Sequence, residues 1–185
     1  MDNINKNEES SVFISSFGDI TGTQINTPLT GGLMSIQGGQ VQNFYNQLNS
    51  PLEDIVEDIP NRITIRVSGS AFDRQGNLWV TNIGVSQRLK KLSASGQWTG
   101  YGIESIINFN KIGLNEIEID RFNNVWIGTR GNGLLAYNEN GDRKEALIAE
   151  VNRGDLPSNN VRTIGVDRNN RIWIGTSIGL VVFNN

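Results

Sequence analysis

This sequence predicts an all-β fold on three observations: a composition rich in turn formers, an internal repeat of 47 residues, and turn signals that divide each repeat into short strands. Gly supplies 21 and Asn 25 of the 185 residues, about a quarter of the chain, and both favour turns over helix interiors. Hydrophobic residues make up 37% and charged residues 19%, with Lys plus Arg at 16 against Asp plus Glu at 19. The net charge of −3 leaves no basic footprint, so no nucleic-acid partner is expected. No stretch approaches the roughly 20 apolar residues of a membrane helix, which predicts no membrane insertion. Cys and His are both absent, which removes thiolate chemistry, the commonest zinc ligands and the commonest general base together. No cofactor is expected.

Residues 1–11 read as a polar N-terminal segment, without the basic start and apolar core of a signal peptide. Residues 12–18 (Val-Phe-Ile-Ser-Ser-Phe-Gly) read as a weak copy of a strand that recurs later, with Phe13 in the place of a tryptophan. Residues 32–36 are the strand expected after it, beyond a long loop at 19–31. Full copies then follow, as residues 72–81 recur in register at 119–129 and 166–176. Asp73, Asp120 and Asp167 open each turn, and Trp79, Trp126 and Trp173 stand on the next strand, every one 47 residues from its counterpart. Asp bonds its own backbone two residues on, and Gly76 or an Asn accepts the positive φ of a tight hairpin. A second hairpin is signalled by Gly128-Thr129 leading to Gly133, and by Gly175-Thr176 leading to Gly179. A third turn falls at 93–96 and again at 138–141, and a linker at 156–160 leads into the next strand at 161–167. Three turns make four antiparallel strands, and four strands per 40–50 residues is the period of a β-propeller blade. The expected architecture is a partial β-propeller of three to four blades. Its units fall at 12–60, 61–112, 113–158 and an incomplete 159–185. The length holds just under four periods, so the chain reads as a piece of a larger propeller.

The motif at 167–180, Asp-x-x-x-Arg-Ile-Trp-Ile-Gly-Thr-x-x-Gly-Leu, resembles the two-component regulator propeller repeat. Residues 120–134 match almost as well, whereas the first full unit departs, with Trp-Val-Thr-Asn at 79–82. The resemblance covers the chain from about Val12 onward. It implies a seven-bladed propeller of the kind abundant in Bacteroidetes, found in periplasmic sensors of hybrid two-component systems and in a surface protein of the type IX secretion system. The departure at 79–82, with Asn-Ser-Pro-Leu at 49–52, is more similar to the surface protein. That likeness implies a non-catalytic binding and scaffolding module at the cell surface, with a sortase and anionic lipopolysaccharide as partners. The sensor alternative implies a periplasmic location and an oligosaccharide ligand.

No residue is expected to be catalytic, to hold a cofactor or to bind a metal. Trp79, Trp126 and Trp173 could stack on sugars, but a Trp repeated in every blade is expected to pack between blades. Trp98 and Tyr101 lie outside that register, on or near an outer strand, and are the candidate exposed aromatics for ligand binding. The Asp-containing turns offer oxygen ligands for calcium, but an Arg follows each Asp and no Glu closes the loop. Four carboxylates at 53, 54, 57 and 58 could act as acid and base, although a solvated loop is the expected fate of such a run. The glycines at 128, 131 and 133 open no helix, so a phosphate cradle is not expected.

Overall fold

Short apolar runs bounded by turn formers become strands throughout. The computed structural model describes residues 4–6, 12–16, 31–55, 64–103, 105 and 113–184, and every named element among them is a strand. The chain divides into two units, residues 1–102 and 103–185.

The first unit holds two four-stranded antiparallel meanders. Sheet one runs β1(Ile4–Lys6), β2(Val12–Ser16), β3(Gly32–Gln37) and β4(Gln40–Tyr45). Its first strand comes from the stretch that the sequence marks as a polar N-terminal segment, and Ile4 pairs with Ile14. Phe13 takes the second position of β2, as Trp79 does on its own strand. The loop expected at 19–31 lies outside the described residues, save Gly31. Sheet two runs β5(Val67–Phe72), β6(Leu78–Asn82), β7(Leu89–Leu92) and β8(Trp98–Tyr101). Alternation along each strand sends one set of side chains to one face. Phe13, Leu33, Val67, Leu78, Val80 and Leu92 meet in a common core, with Tyr45, Phe72 and Trp98 packed against it.

The second unit repeats the plan. Sheet three runs β9(Leu114–Ile119), β10(Val125–Thr129), β11(Leu134–Asn138) and β12(Arg143–Leu147). Sheet four has three strands, β13(Val161–Val166), β14(Arg171–Thr176) and β15(Leu180–Asn184). Trp126, Leu134 and Leu147 share a core with Val161, Ile164, Ile172 and Ile174.

The first hairpin is built identically in sheets two, three and four. The residue three after each Asp stands in the left-handed region: Gly76 at φ 78°, Asn123 at 60° and Asn170 at 65°. These are the residue types that tolerate it, which is why Gly and Asn interchange at this position. The register also slips at one corresponding place, where the first strand meets the far end of the second, in all three sheets. Such a bulge sharpens the local twist.

Candidate functional site

The residues that define the repeat are bonded to one another. Asp73 Oδ1 accepts the backbone N–H groups of Gln75 and Asn77, at 3.0 and 2.9 Å. Its Oδ2 accepts Asn77 Nδ2 at 2.8 Å and the indole Nε1 of Trp79 at 2.9 Å. Asp120 does the same with Phe122, Asn124 and Trp126, the indole bond measuring 3.0 Å. Asp167 accepts from the backbones of Asn169 and Arg171, from Arg171 Nε, and from Trp173 Nε1 at 3.0 Å. One carboxylate therefore closes the turn and orients the Trp on the following strand. The Trp173 indole, followed by the Arg171 backbone, holds the Asp167 carboxyl well below the usual carboxylate range. The sequence reading missed this bond, although its signal was there: Asp and Trp stand six apart in all three copies.

The remaining signature residues close the second hairpin. Thr129 Oγ1 donates to the Gly133 carbonyl at 2.8 Å, and Thr176 Oγ1 donates to the Gly179 carbonyl at 2.8 Å. Gly128 and Gly175 lie where the adjoining strand comes close. A Cβ on Gly128 would meet Val161 at 3.1 Å, and one on Gly175 would meet Thr163 Cγ2 at 2.5 Å. Sheet two departs at both positions and compensates for each. Thr81 stands in the Gly place and shares a 2.7 Å bond with Ser68, while its Oγ1 accepts Gly69 N–H at 3.0 Å. Asn82 stands in the Thr place, fully buried, accepting Glu53 N–H at 2.7 Å and donating to the Glu53 and Arg66 carbonyls.

Trp79 and Trp126 are 1% and 3% exposed, and Trp173 is half-buried. Trp79 and Trp126 therefore present no open face of the kind that stacks on a sugar, and the Arg171 guanidinium stands over the Trp173 ring at 5.5 Å. Trp98 and Tyr101, expected to be exposed, are both half-buried. Trp98 packs edge-on against Tyr45 at 5.4 Å and joins the core of the first unit. Tyr101, three residues on, points to the opposite face and stacks on Trp79 at 5.1 Å. The Lys91 ammonium covers both rings, at 5.2 and 5.7 Å. An outer strand thus turns its aromatics inward, one to each face.

The acidic run does not assemble as a catalytic pair among the described residues. Glu53 takes Lys90 Nζ at 2.7 Å, Ser86 Oγ at 2.9 Å and Gln87 N–H at 3.3 Å. Lys90 is fully buried, and its Nζ also donates to the Gln87 carbonyl. Burial pulls the Lys90 ammonium below its usual value against the opposing pull of Glu53. Burial would raise Glu53, but its bonds from Lys90 and Ser86 prevail and lower it. Asp54 accepts the Thr64 backbone N–H, and positions 57 and 58 lie outside the described residues. On β9, Glu116 accepts Thr163 Oγ1 and Ile164 N–H, tying β9 to β13. Burial, then the Glu116 charge, raises the half-buried Glu118 carboxyl beside it. The described residues hold no group of three or more metal-ligating side chains. The glycines at 128, 131 and 133 join β10 to β11 and open no helix. An open groove of about 840 Å³ lies along β11 and β12, where Asn124, Asn138, Tyr137, Lys144 and Phe183 line it beside the exposed Phe122.

The family model described as two component regulator propeller matches residues 155–177. None of the curated proteins matches the chain in sequence. Among solved structures, the chain is similar to PorZ of Porphyromonas gingivalis, a bacterial surface component of the type IX secretion system, at 18% identity and a TM-score of 0.66, covering 98% of this chain and 25% of that one. It is similar to the extracellular domain assigned to a hybrid two-component system of B. thetaiotaomicron, at 19% identity and a TM-score of 0.65, covering 97% and 21%. Virginiamycin B lyase from Staphylococcus aureus follows at 13% identity and a TM-score of 0.58, covering 98% and 54%. The chain thus spans about a quarter, a fifth and a half of these proteins, and the likeness shows the fold. Residues 155–177 are similar by sequence to the two component regulator propeller model, and the recurring Asp–Trp units by geometry and nearly the whole chain by fold make this a partial β-propeller.

Proposed function

We propose that this chain is a non-catalytic binding and scaffolding part of a PorZ-like surface protein, acting outside the cytoplasm. It would support a PorU-like sortase in attaching cargo to anionic lipopolysaccharide. One observation carries the non-catalytic reading: the repeat commits its Asp, Thr and Trp polar atoms to holding turns and strands together. The acidic run adds to it, since Glu53 is committed to Lys90. The PorZ-like reading is supported by the likeness of fold to that protein. The Asn82 clamp on Glu53 gives the departure at 79–82 a physical role in this chain. Deleting the gene is the test. Cargo proteins should stay unprocessed and detach from the surface.

A second reading has its own support, the equal likeness to the extracellular domain of a hybrid two-component system. In that reading the chain is part of a periplasmic propeller that recognises an oligosaccharide for a histidine kinase. Deletion would then abolish only the transcriptional response to one glycan.

A further inference from the structure

We infer that Asn140 is a site of spontaneous covalent modification, where the side-chain amide is lost through a cyclic imide formed with Gly141. The inference stands apart from the proposed function and rests on the turn between β11 and β12. An Asn side chain is chemically labile, most of all before Gly, whose missing side chain leaves its backbone nitrogen open to the Asn carboxamide. The sequence holds two such pairs, Asn132-Gly133 and Asn140-Gly141. Both lie in hairpin turns of sheet three, and the structure separates them.

The first pair is closed in. Gly133 N–H donates to the Asn159 carbonyl at 2.9 Å, and the Gly133 carbonyl accepts Thr129 N–H and Oγ1. Asn132 N–H donates to Thr129 Oγ1 at 2.8 Å. Gly133 is buried, with the Leu147 carbonyl in the place a Cβ would take. The nitrogen that must attack is occupied, and releasing it requires the hairpin to open.

The second pair is open. Asn140, Gly141 and Asp142 are all exposed. Gly141 stands at φ 83°, where an added Cβ would meet only Arg143 Cγ, at 3.8 Å. Its N–H has no hydrogen-bond partner among the described residues, and neither has the Asn140 carboxamide. The turn is held instead by Asp142 N–H on the Glu139 carbonyl at 3.3 Å and by Asn140 N–H on Asn138 Oδ1 at 2.9 Å. Neither bond uses a reacting atom. The turns at the same place in sheets one and two, 37–40 and 94–97, are exposed in the same way, so openness belongs to this position of the repeat.

The Gly141 nitrogen gives up its proton and bonds to Asn140 Cγ, the Cγ–Nδ2 bond breaks, and ammonia leaves with that proton. Water then opens the imide at either carbonyl and leaves an aspartyl or an isoaspartyl residue. The step consumes water alone, and no oxidant or reductant takes part. It adds one carboxylate beside the exposed Asp142 and makes the net charge of −3 one unit more negative. The isoaspartyl product also lengthens the backbone of the turn by one carbon, next to the pair of Asn138 with Arg143.

The test is to age the folded 185-residue chain in mildly alkaline buffer at physiological temperature and to follow it by mass spectrometry. Cleavage after Glu139 separates the two pairs, and each fragment is read for the mass gain of an amide becoming an acid. Asn140 should convert at least about tenfold faster than Asn132, a factor that corresponds to about 1.4 kcal/mol for opening the closed hairpin. In urea the two rates should converge, because both residues precede Gly. Methyl transfer by an isoaspartyl methyltransferase should label the aged chain, and Asn140→Gln should remove most of that label. Three results would overturn the inference: Asn140 intact in the folded chain over a time in which the urea-unfolded chain converts it, Asn132 converting as fast as Asn140 in the folded chain, or an undiminished label in Asn140→Gln.

Discussion

Asp120→Asn isolates the bond that unites the repeat. Asp120 is 1% exposed and accepts four hydrogen bonds, two at each carboxylate oxygen. The amide that replaces it keeps an acceptor at Oδ1 for the backbones of Phe122 and Asn124, but those bonds lose their charge, at about 1 kcal/mol or less each. At the Oδ2 position it places a donor against two donors, Asn124 Nδ2 and Trp126 Nε1. Asn124 is also held by Asn138, whereas the Trp126 indole loses its acceptor in the core, at about 1–3 kcal/mol. The expected loss is about 3 kcal/mol, with Asp120→Ala at about 4. Urea unfolding followed by amide resonances of β10 and β11 reads sheet three separately from the rest. Trp126→Phe, which removes the donor, should cost much less when combined with Asp120→Asn than in the parent chain. A loss under about 0.5 kcal/mol for Asp120→Asn, or additive single effects, would refute the reasoning.

The buried ion pair should respond asymmetrically. Glu53→Gln leaves the Lys90 ammonium buried without its counter-charge and should cost about 2–3 kcal/mol, whereas Lys90→Met leaves a carboxylate that is 37% exposed to water and should cost under about 1; urea midpoints of the two variants check the order. Gly133 sits at φ 75°, where a Cβ would run into the Leu147 carbonyl, so Gly133→Ala should cost several kcal/mol. Gly141→Ala at φ 83°, with only Arg143 Cγ nearby at 3.8 Å, should cost about 1, measured in the same way. Because the Asp167 carboxyl is lowered in the fold, its contribution is complete above the ordinary carboxylate range and is lost as pH falls through the folded value. The Trp173 indole resonance should therefore hold steady through pH 4 and move only at stronger acidity; a midpoint near the ordinary value of about 4 would contradict the bond.

The repeat was legible because its information is local: an Asp, a left-handed Gly or Asn and a strand with Trp near its start recur in three sheets. Phe13 was legible in the Trp place of sheet one for the same reason. β1 was not, since Ile4–Lys6 offers one apolar residue among polar ones and owes its pairing to β2. The ion pair of Glu53 with Lys90 was hidden because the partners are 37 residues apart and meet only through tertiary folding. Trp98 and Tyr101 could be assigned to an outer strand, but not to a partner. Their separation of three implied opposite faces, while Tyr45 and Trp79, the rings that receive them, come from other strands. The Asp–Trp bond was recoverable from a constant spacing, yet spacing alone does not say that an indole reaches back across the hairpin.

In the proposed function the repeated Trp residues hold the fold and recognition falls to other surfaces. Titrating the chain with lipopolysaccharide fragments and with oligosaccharides, while following the indole N–H resonances of Trp79, Trp126 and Trp173, tests it most directly. These three signals should stay fixed and exchange-protected whichever ligand binds. Loss of protection or saturable shifts at two or more of them, in a chain that remains folded, would contradict it.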